Sequence, residues 1–394
     1  MKTSDEVAKK TLFIALNREV LAMRFRLLCA GGDSGFRTDS AGNRASERSS
    51  GRPSGSNKHL PILDVLRGMA AIWVCLFHFT RDGRTVDDNS VVAQMSAWGW
   101  LGVQMFFVVS GYVIPMSMMN RGYRIRDFGS FMIRRMKRLE PPYVASVGII
   151  LLLPLLASLV PGYRGKPAVY SIPQLAAHAL YLNALLDYDW INPVYWTLAI
   201  EFQYYIVIGL VFPSLCSRRP FPASLSVFAL SAAGLLFKDH GELLPHWLPV
   251  FSLGICAWQS QAGHLRSAES LVSMAGLACM CAFGVGIPEA IAGLLTAVAI
   301  MTFGCRPVPL VLRVFSHFGT ISYSLYLLHE PVGNRVFNLV LRLDHSYVSP
   351  GFVLTSGLVG SVIASAIFWR LVEIPAQTWS RASTFGGGKA RSEG

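Results

Sequence analysis

From Pro61 onward the chain alternates long apolar runs with short polar joints. Ten runs approach the ~20 residues that an α-helix needs to cross a hydrocarbon core. They are 61–80, 98–118, 143–160, 194–213, 222–237, 245–260, 270–286, 288–304, 318–340 and 351–372. Runs this long and this evenly apolar predict an all-α fold, a polytopic membrane helical bundle of about ten transmembrane helices. The stretch 174–187 is too short to span and reads as re-entrant or interfacial. The basic stretch "FMIRRMKRLEPPY" (131–143) reads as a loop leading into the third span.

Residues 1–59 are different in kind. They are rich in Gly, Ser and Arg, and predict a polar, disordered cytoplasmic extension ahead of a membrane domain at 60–375, with a basic, flexible cytoplasmic tail at 376–394. Near its start, "TLFIALNREVLAMRFRLLCA" has a helical apolar pattern, but its charges interrupt it too often for a span or a signal peptide. It reads as an extension of little consequence, with an interfacial helix as the alternative.

Composition sharpens this picture. Of 394 residues, 52% are hydrophobic and 15% charged, well below the ~25% charge of soluble domains. The formal charge of +12 raises the question of nucleic acid. The basic residues fall instead in the N-terminal extension and in a few joints, as membrane orientation requires, so no nucleic-acid partner is expected. Placing both termini in the cytoplasm puts the "RGYRIRDFGSFMIRRMKR" stretch, Arg218, Arg219, Arg266, Arg306 and Arg313 on the cytoplasmic side. The seven cysteines form no metal-ligand spacing and mostly sit in apolar runs, so neither a metal nor a disulfide framework is expected.

A few polar residues remain inside the apolar runs, where each costs on the order of 2.5–3.5 kcal/mol unless it faces protein or water. Arg67 and His78, eleven residues apart, share one helical face and stand about 16 Å apart along the axis, with Asp64 one turn before Arg67. Arg67 alone reads as a snorkelling anchor and His78 alone as a hydrogen-bonded core histidine; their shared face argues for a site. Glu201, two turns into the fourth run, is expected at a depth similar to that of His78. There it would orient the imidazole and stabilise its protonated form, or else bond a nearby Tyr or Trp. Arg134, Arg135, Lys137 and Arg138 read as topogenic charge, or as a phosphate clamp. Ser110 reads as helix packing rather than a nucleophile. His329 is a further buried histidine whose role spacing alone does not fix.

Taken together, "LDVLRGMAAIWVCLFHF", "GVQMFFVVSGYVI", "RRMKRLEPPY", "YWTLAIEFQYY" and "SYSLYLLHEPV" resemble, in order and approximate spacing, the acyltransferase-3 family of integral-membrane O-acyltransferases. The resemblance covers about residues 60–375. It implies transfer of an acyl group, usually acetyl, from cytoplasmic acyl-CoA to a hydroxyl of a cell-surface or exported glycan or related sugar. Acyl-CoA is then a donor substrate, with no bound cofactor, and the bilayer implied is the inner (plasma) membrane. The family's Arg-x10-His pair falls on Arg67 and His78, with His78 the implied catalytic histidine. Its R-x-x-R motif falls on Arg135 and Arg138, which with Arg67 would hold the donor, and its acidic residue falls on Glu201. Asp64, Ser110, Trp196 and His329 are candidate supporting residues. Thr197 stands where the family usually has Ser, and Glu140 where it often has an aromatic residue. No hydrolase-like domain follows the last run, so a second transfer step would draw on a partner. A proton-coupled transporter using the same intramembrane charges is the alternative function.

Overall fold

The computed structural model describes residues 60–81, 85–87, 89–159, 170–216, 220–237, 240–304, 306–343 and 349–382. The expected N-terminal extension and most of the expected tail lie outside the described residues. The described chain is helical throughout, with no strand. The long helices are α1 (Pro61–Thr80), α2 (Gly102–Asn120), α3 (Phe128–Ser158), α4 (Trp196–Leu215), α5 (Pro220–Leu235), α6 (Leu244–Gln261), α7 (Ser267–Gly284), α8 (Ile287–Phe303), α9 (Leu310–Thr320), α10 (Ser322–Val340) and α11 (Pro350–Phe368). A π-helical turn, Trp369–Glu373, carries α11 into α12 (Ile374–Ala382).

Among the described residues, helix occupies every run read as a span, and six helical stretches are long and apolar enough to cross a membrane: 61–80, 91–120, 125–156, 193–215, 267–284 and 350–382. The helices of 223–235 and 287–303 are apolar but shorter. α6 and α10 fall below that hydropathy because they carry polar groups such as His246 and Gln259, or His329, Glu330 and Arg335. α6 is nevertheless buried along most of its length, enclosed by α2, α5, α7 and α8. Packing covers it on all sides, so its polar groups need partners in protein rather than tolerance by lipid. Gln259, for instance, donates to the Leu215 and Ala223 carbonyls.

Close packing of α1 places the site. It lies against α9, α2 and α10, and it meets α9 through glycine. A Cβ at Gly68 would stand 1.9 Å from the Phe315 carbonyl oxygen, and one at Gly319 would stand 2.0 Å from that of Asp64. Only residues without side chains permit this approach.

The structure corrects one local expectation and extends another. The basic stretch before the third run is not a loop. Residues 128–158 form one helix, so Arg134, Arg135, Lys137 and Arg138 ride on its first turns. Arg and Lys are good helix formers, and a charge that ends a hydropathy window does not end a helix. Pro141 and Pro142 withdraw two backbone donors from α3, and nearby the Tyr323 hydroxyl donates to the Leu139 carbonyl at 3.0 Å. In addition, 174–187 holds two short helices, Ile172–Ala179 and Asn183–Leu186, and the last helix runs on to Ala382, into the segment read as a tail.

Candidate active site

α1, α2, α3, α4, α10 and the π-helical turn converge on a cavity of about 120 Å³. Its charged lining is Arg67 from α1, Arg135 and Arg138 from α3, Glu201 from α4, and Glu373 from the turn, with the hydroxyls of Ser110 (α2), Thr197 (α4) and Ser322 (α10) beside them. Tyr205, Tyr323 and Tyr326 line it too. The structure therefore brings together most of the residues singled out in the sequence. Arg67 feels the charges of Arg138, Glu373, Asp64 and Glu201.

Arg135 is held by aromatic faces, its guanidinium 5.4 Å from the Phe131 ring centre and 5.3 Å from that of Tyr205. Cation–π contacts of this kind gain strength where water is excluded. Tyr205 in turn donates from its hydroxyl to Glu201 Oε1 at 2.5 Å, one helical turn away on α4. This leaves a chain of guanidinium, phenol and carboxylate along one wall.

A second cavity, of about 410 Å³, opens beside the first and shares Arg135 and Arg138 with it. It adds Arg121, Arg134 and Arg381 against the single carboxylate of Asp127. α12 is fastened to α3 at this place: Ser380 Oγ donates to the Arg134 carbonyl at 2.7 Å, and Lys137 Nζ sits 4.7 Å from the Trp379 ring centre.

His78 stands apart from both basic cavities, three turns along α1 from Arg67. Its ring centre is 5.2 Å from that of His329 on α10. Among the described residues it makes no hydrogen bond to Glu201, which takes the Tyr205 hydroxyl instead. α3 carries its arginines into the bundle, so Glu201 meets cations at the level of Arg67. Trp196 lies against Trp247 and Phe107, with ring centres 5.5 and 6.4 Å away, and supports the apolar floor.

Two acidic residues escaped the sequence reading. Glu373, 3% exposed, accepts from Ser324 Oγ at 2.6 Å and from Gln377 Nε2 at 3.0 Å. Its signal in the sequence is an acid where a long apolar run meets "IP", one residue past the run read as the last span. Glu330 follows His329 on α10 and is partly buried. His178, outside the spanning helices, is structural: its Nε2 accepts the Ile191 N–H at 3.1 Å and its Nδ1 lies 3.0 Å from the Tyr143 hydroxyl. Burial lowers its pKa to about 4, so it stays neutral.

A multi-pass helical membrane protein with a buried arginine cluster opening onto a basic basin is the class that fold and site define. The sequence model of an acyltransferase domain, Acyl_transf_3, matches residues 60–370, and the chain belongs to that family. It is 30% identical over 195 residues to O-acetyltransferase OatA of Staphylococcus aureus, a match taking in 47% of this chain and 30% of that protein. To the O-acetyl transferase of Shigella phage Sf6 it is 26% identical over 335 residues, 79% of this chain and 94% of the phage protein. The chain thus matches less than a third of the length of the staphylococcal relative. No solved structure matches it.

Proposed function

We propose that the protein is a membrane O-acyltransferase that moves an acyl group, acetyl by family frequency, from cytoplasmic acyl-CoA to a hydroxyl of a cell-surface or exported glycan. The observation that carries this reading is the distribution of charge. In the inner cavity three guanidiniums face two carboxylates, while the outer basin adds three more arginines and one aspartate. Uncompensated positive charge is therefore concentrated on the outer side. That gradient suits a ligand anionic at one end and neutral at the other, such as a nucleotide-bearing thioester with its phosphates in the basin. Arg135 and Arg138, shared by both cavities, hold the donor where the two ends meet, with Arg67 further in. The basin then faces the cytoplasm, with both termini on that side of the plasma membrane.

His78 is the catalytic base in this reading. It takes the proton of the acceptor hydroxyl as the oxygen forms its bond to the thioester carbon. The carbon–sulfur bond then breaks, and the departing thiolate takes the proton from the imidazolium. Glu201, bonded to Tyr205, balances the arginines rather than orienting the base.

The test uses inside-out membrane vesicles containing the protein, supplied with acetyl-CoA labelled in the acetyl group. Label is expected in glycan or lipid-linked fractions with the wild type, and at background with His78→Ala at equal expression. Equal labelling in the two samples would overturn the role of His78. No label in either, together with counterflow of an unmodified substrate, would favour a transporter.

A further inference from the structure

His329 is fully buried, and neither basic cavity uses it. Its Nδ1 lies 3.0 Å from the Leu325 carbonyl oxygen and 2.9 Å from that of Tyr326, four and three residues back on its own helix. Carbonyl oxygens only accept, so Nδ1 carries the hydrogen and Nε2 is left with a lone pair. That Nε2 is buried and has no hydrogen-bond partner among the described residues. A buried acceptor of this kind is ordinarily met by a donor, from a side chain or a water.

The nearest rings narrow the choice of donor. Phe79, 6.1 Å away between centres, has nothing to donate. Tyr326, also 6.1 Å away, lies on the same helix, and its hydroxyl already donates to the Val194 carbonyl and accepts from Thr197. His78 is closer, at 5.2 Å, with the rings tilted by 57°. Two imidazoles joined in line by one N–H···N bond have centres about 5 Å apart, since the bond spans ~3 Å and each ring adds ~1 Å. The separation is already correct, and only the ring orientation is not. Hydrogen bonds of this kind often align only once substrate is bound.

We propose that His329 is the positioning residue for His78: its Nε2 accepts the N–H of the His78 ring once that ring turns about its Cβ–Cγ bond. This rests on the reading of His78 as the catalytic base. The bond fixes which nitrogen of His78 carries hydrogen, and so presents the other, bare nitrogen to the acceptor hydroxyl. When His78 takes up the proton, the same bond stabilises the imidazolium. A neutral imidazole thus does what a carboxylate does in a serine-protease triad, where loss of the carboxylate costs ~10⁴-fold in turnover. A neutral acceptor is weaker, and a loss on the order of 10²-fold follows.

The experiment compares His329→Asn with His329→Gln in the labelled-acetyl-CoA vesicle assay, across donor concentration. Asn keeps an N–H where Nδ1 stands but has no atom at Nε2, whereas Gln can place an oxygen there. The expected result is turnover within about tenfold of wild type for Gln and at least 100-fold down for Asn, with the KM for acetyl-CoA within about twofold for both. Equal turnover in the two variants would overturn the proposal, whether both are active or both impaired. If the Asn protein does not accumulate, His329→Met, apolar and of similar length, takes its place and must show the same 100-fold loss; wild-type turnover there overturns it. His78→Ala runs alongside. Activity in that variant would refute the reading of His78 itself, whereas an inactive His78→Ala beside a fully active His329→Asn would refute only the role of His329.

Discussion

Gly68→Ala tests whether the site depends on backbone contact between α1 and α9. The added Cβ would stand 1.9 Å from the Phe315 carbonyl oxygen and 2.8 Å from the Gly319 nitrogen, both backbone atoms that cannot rotate aside. Reaching an ordinary contact requires the helices to part by about 1.5 Å. Gly319 opposite already lies against the Asp64 carbonyl, so the contact has no slack on either side. Overpacking of this kind costs about 1–3 kcal/mol, and a rigid backbone neighbour places it near the upper end. The expected fall in melting temperature is roughly 3–5 °C for protein purified in detergent. Activity should fall further than stability, because Arg67 is the adjacent residue. A displacement of about 1 Å against the arginines of α3 is enough to cost ~10²-fold in rate. Gly148→Ala on α3 is the control: its Cβ would meet nothing within 4 Å, and the substitution should be neutral or gain up to ~1 kcal/mol. A Gly68→Ala protein that melts and turns over like the wild type would refute the reasoning, since the two helices would then have room the structure denies them.

Three other outcomes are expected. Arg135→Ala and Arg138→Ala should each raise the KM for acyl-CoA about 10- to 100-fold, the worth of a charge-assisted hydrogen bond, with little change in kcat; steady-state kinetics across donor concentration decide it. Glu201→Leu should lower the melting temperature and the yield of folded protein, with a loss of about 1–3 kcal/mol, because Arg67 and Arg135 lose a half-buried counter-charge in their cavity; unchanged melting would count against that balance. His178, neutral in the fold with a pKa of about 4 against an ordinary 6.5, binds fewer protons than in the unfolded chain between those values. Its contribution to stability is therefore complete above pH 6.5, is lost as the pH falls towards 4, and changes no further below that. His178→Gln should flatten that part of the melting-temperature profile, and an unchanged slope would refute the assignment.

Much of the fold was legible because burying apolar length in a bilayer is a one-dimensional property of the chain. The runs from Pro61 to Val372 could be read by counting, and helix occupies each of them. The site was legible only in part, because contact between helices is not one-dimensional. Arg67, Arg135, Arg138 and Glu201 were each conspicuous as charges where charge is costly, and they do share a cavity. Their partners could not be counted out. By depth alone Glu201 suits either His78 or a nearby tyrosine, and the structure pairs it with Tyr205. Since α3 is helical from Phe128, its arginines reach the level of Glu201 and claim it.

The two histidines show the same limit from the other side. His78 and His329 lie 251 positions apart in the chain, and no spacing rule joins them. What joins them is a pair of contacts, α1 with α10 and Nδ1 of His329 with its own helix. The second of these has a trace in the sequence. A histidine inside an apolar helical run can satisfy one nitrogen on the carbonyls three and four residues back, which leaves the other nitrogen to be satisfied by a neighbouring helix. A lone histidine in such a run therefore implies a partner without naming it. Here the run that begins "SYSLYLLHEP" holds that histidine, and the partner is the residue already marked by its distance from Arg67.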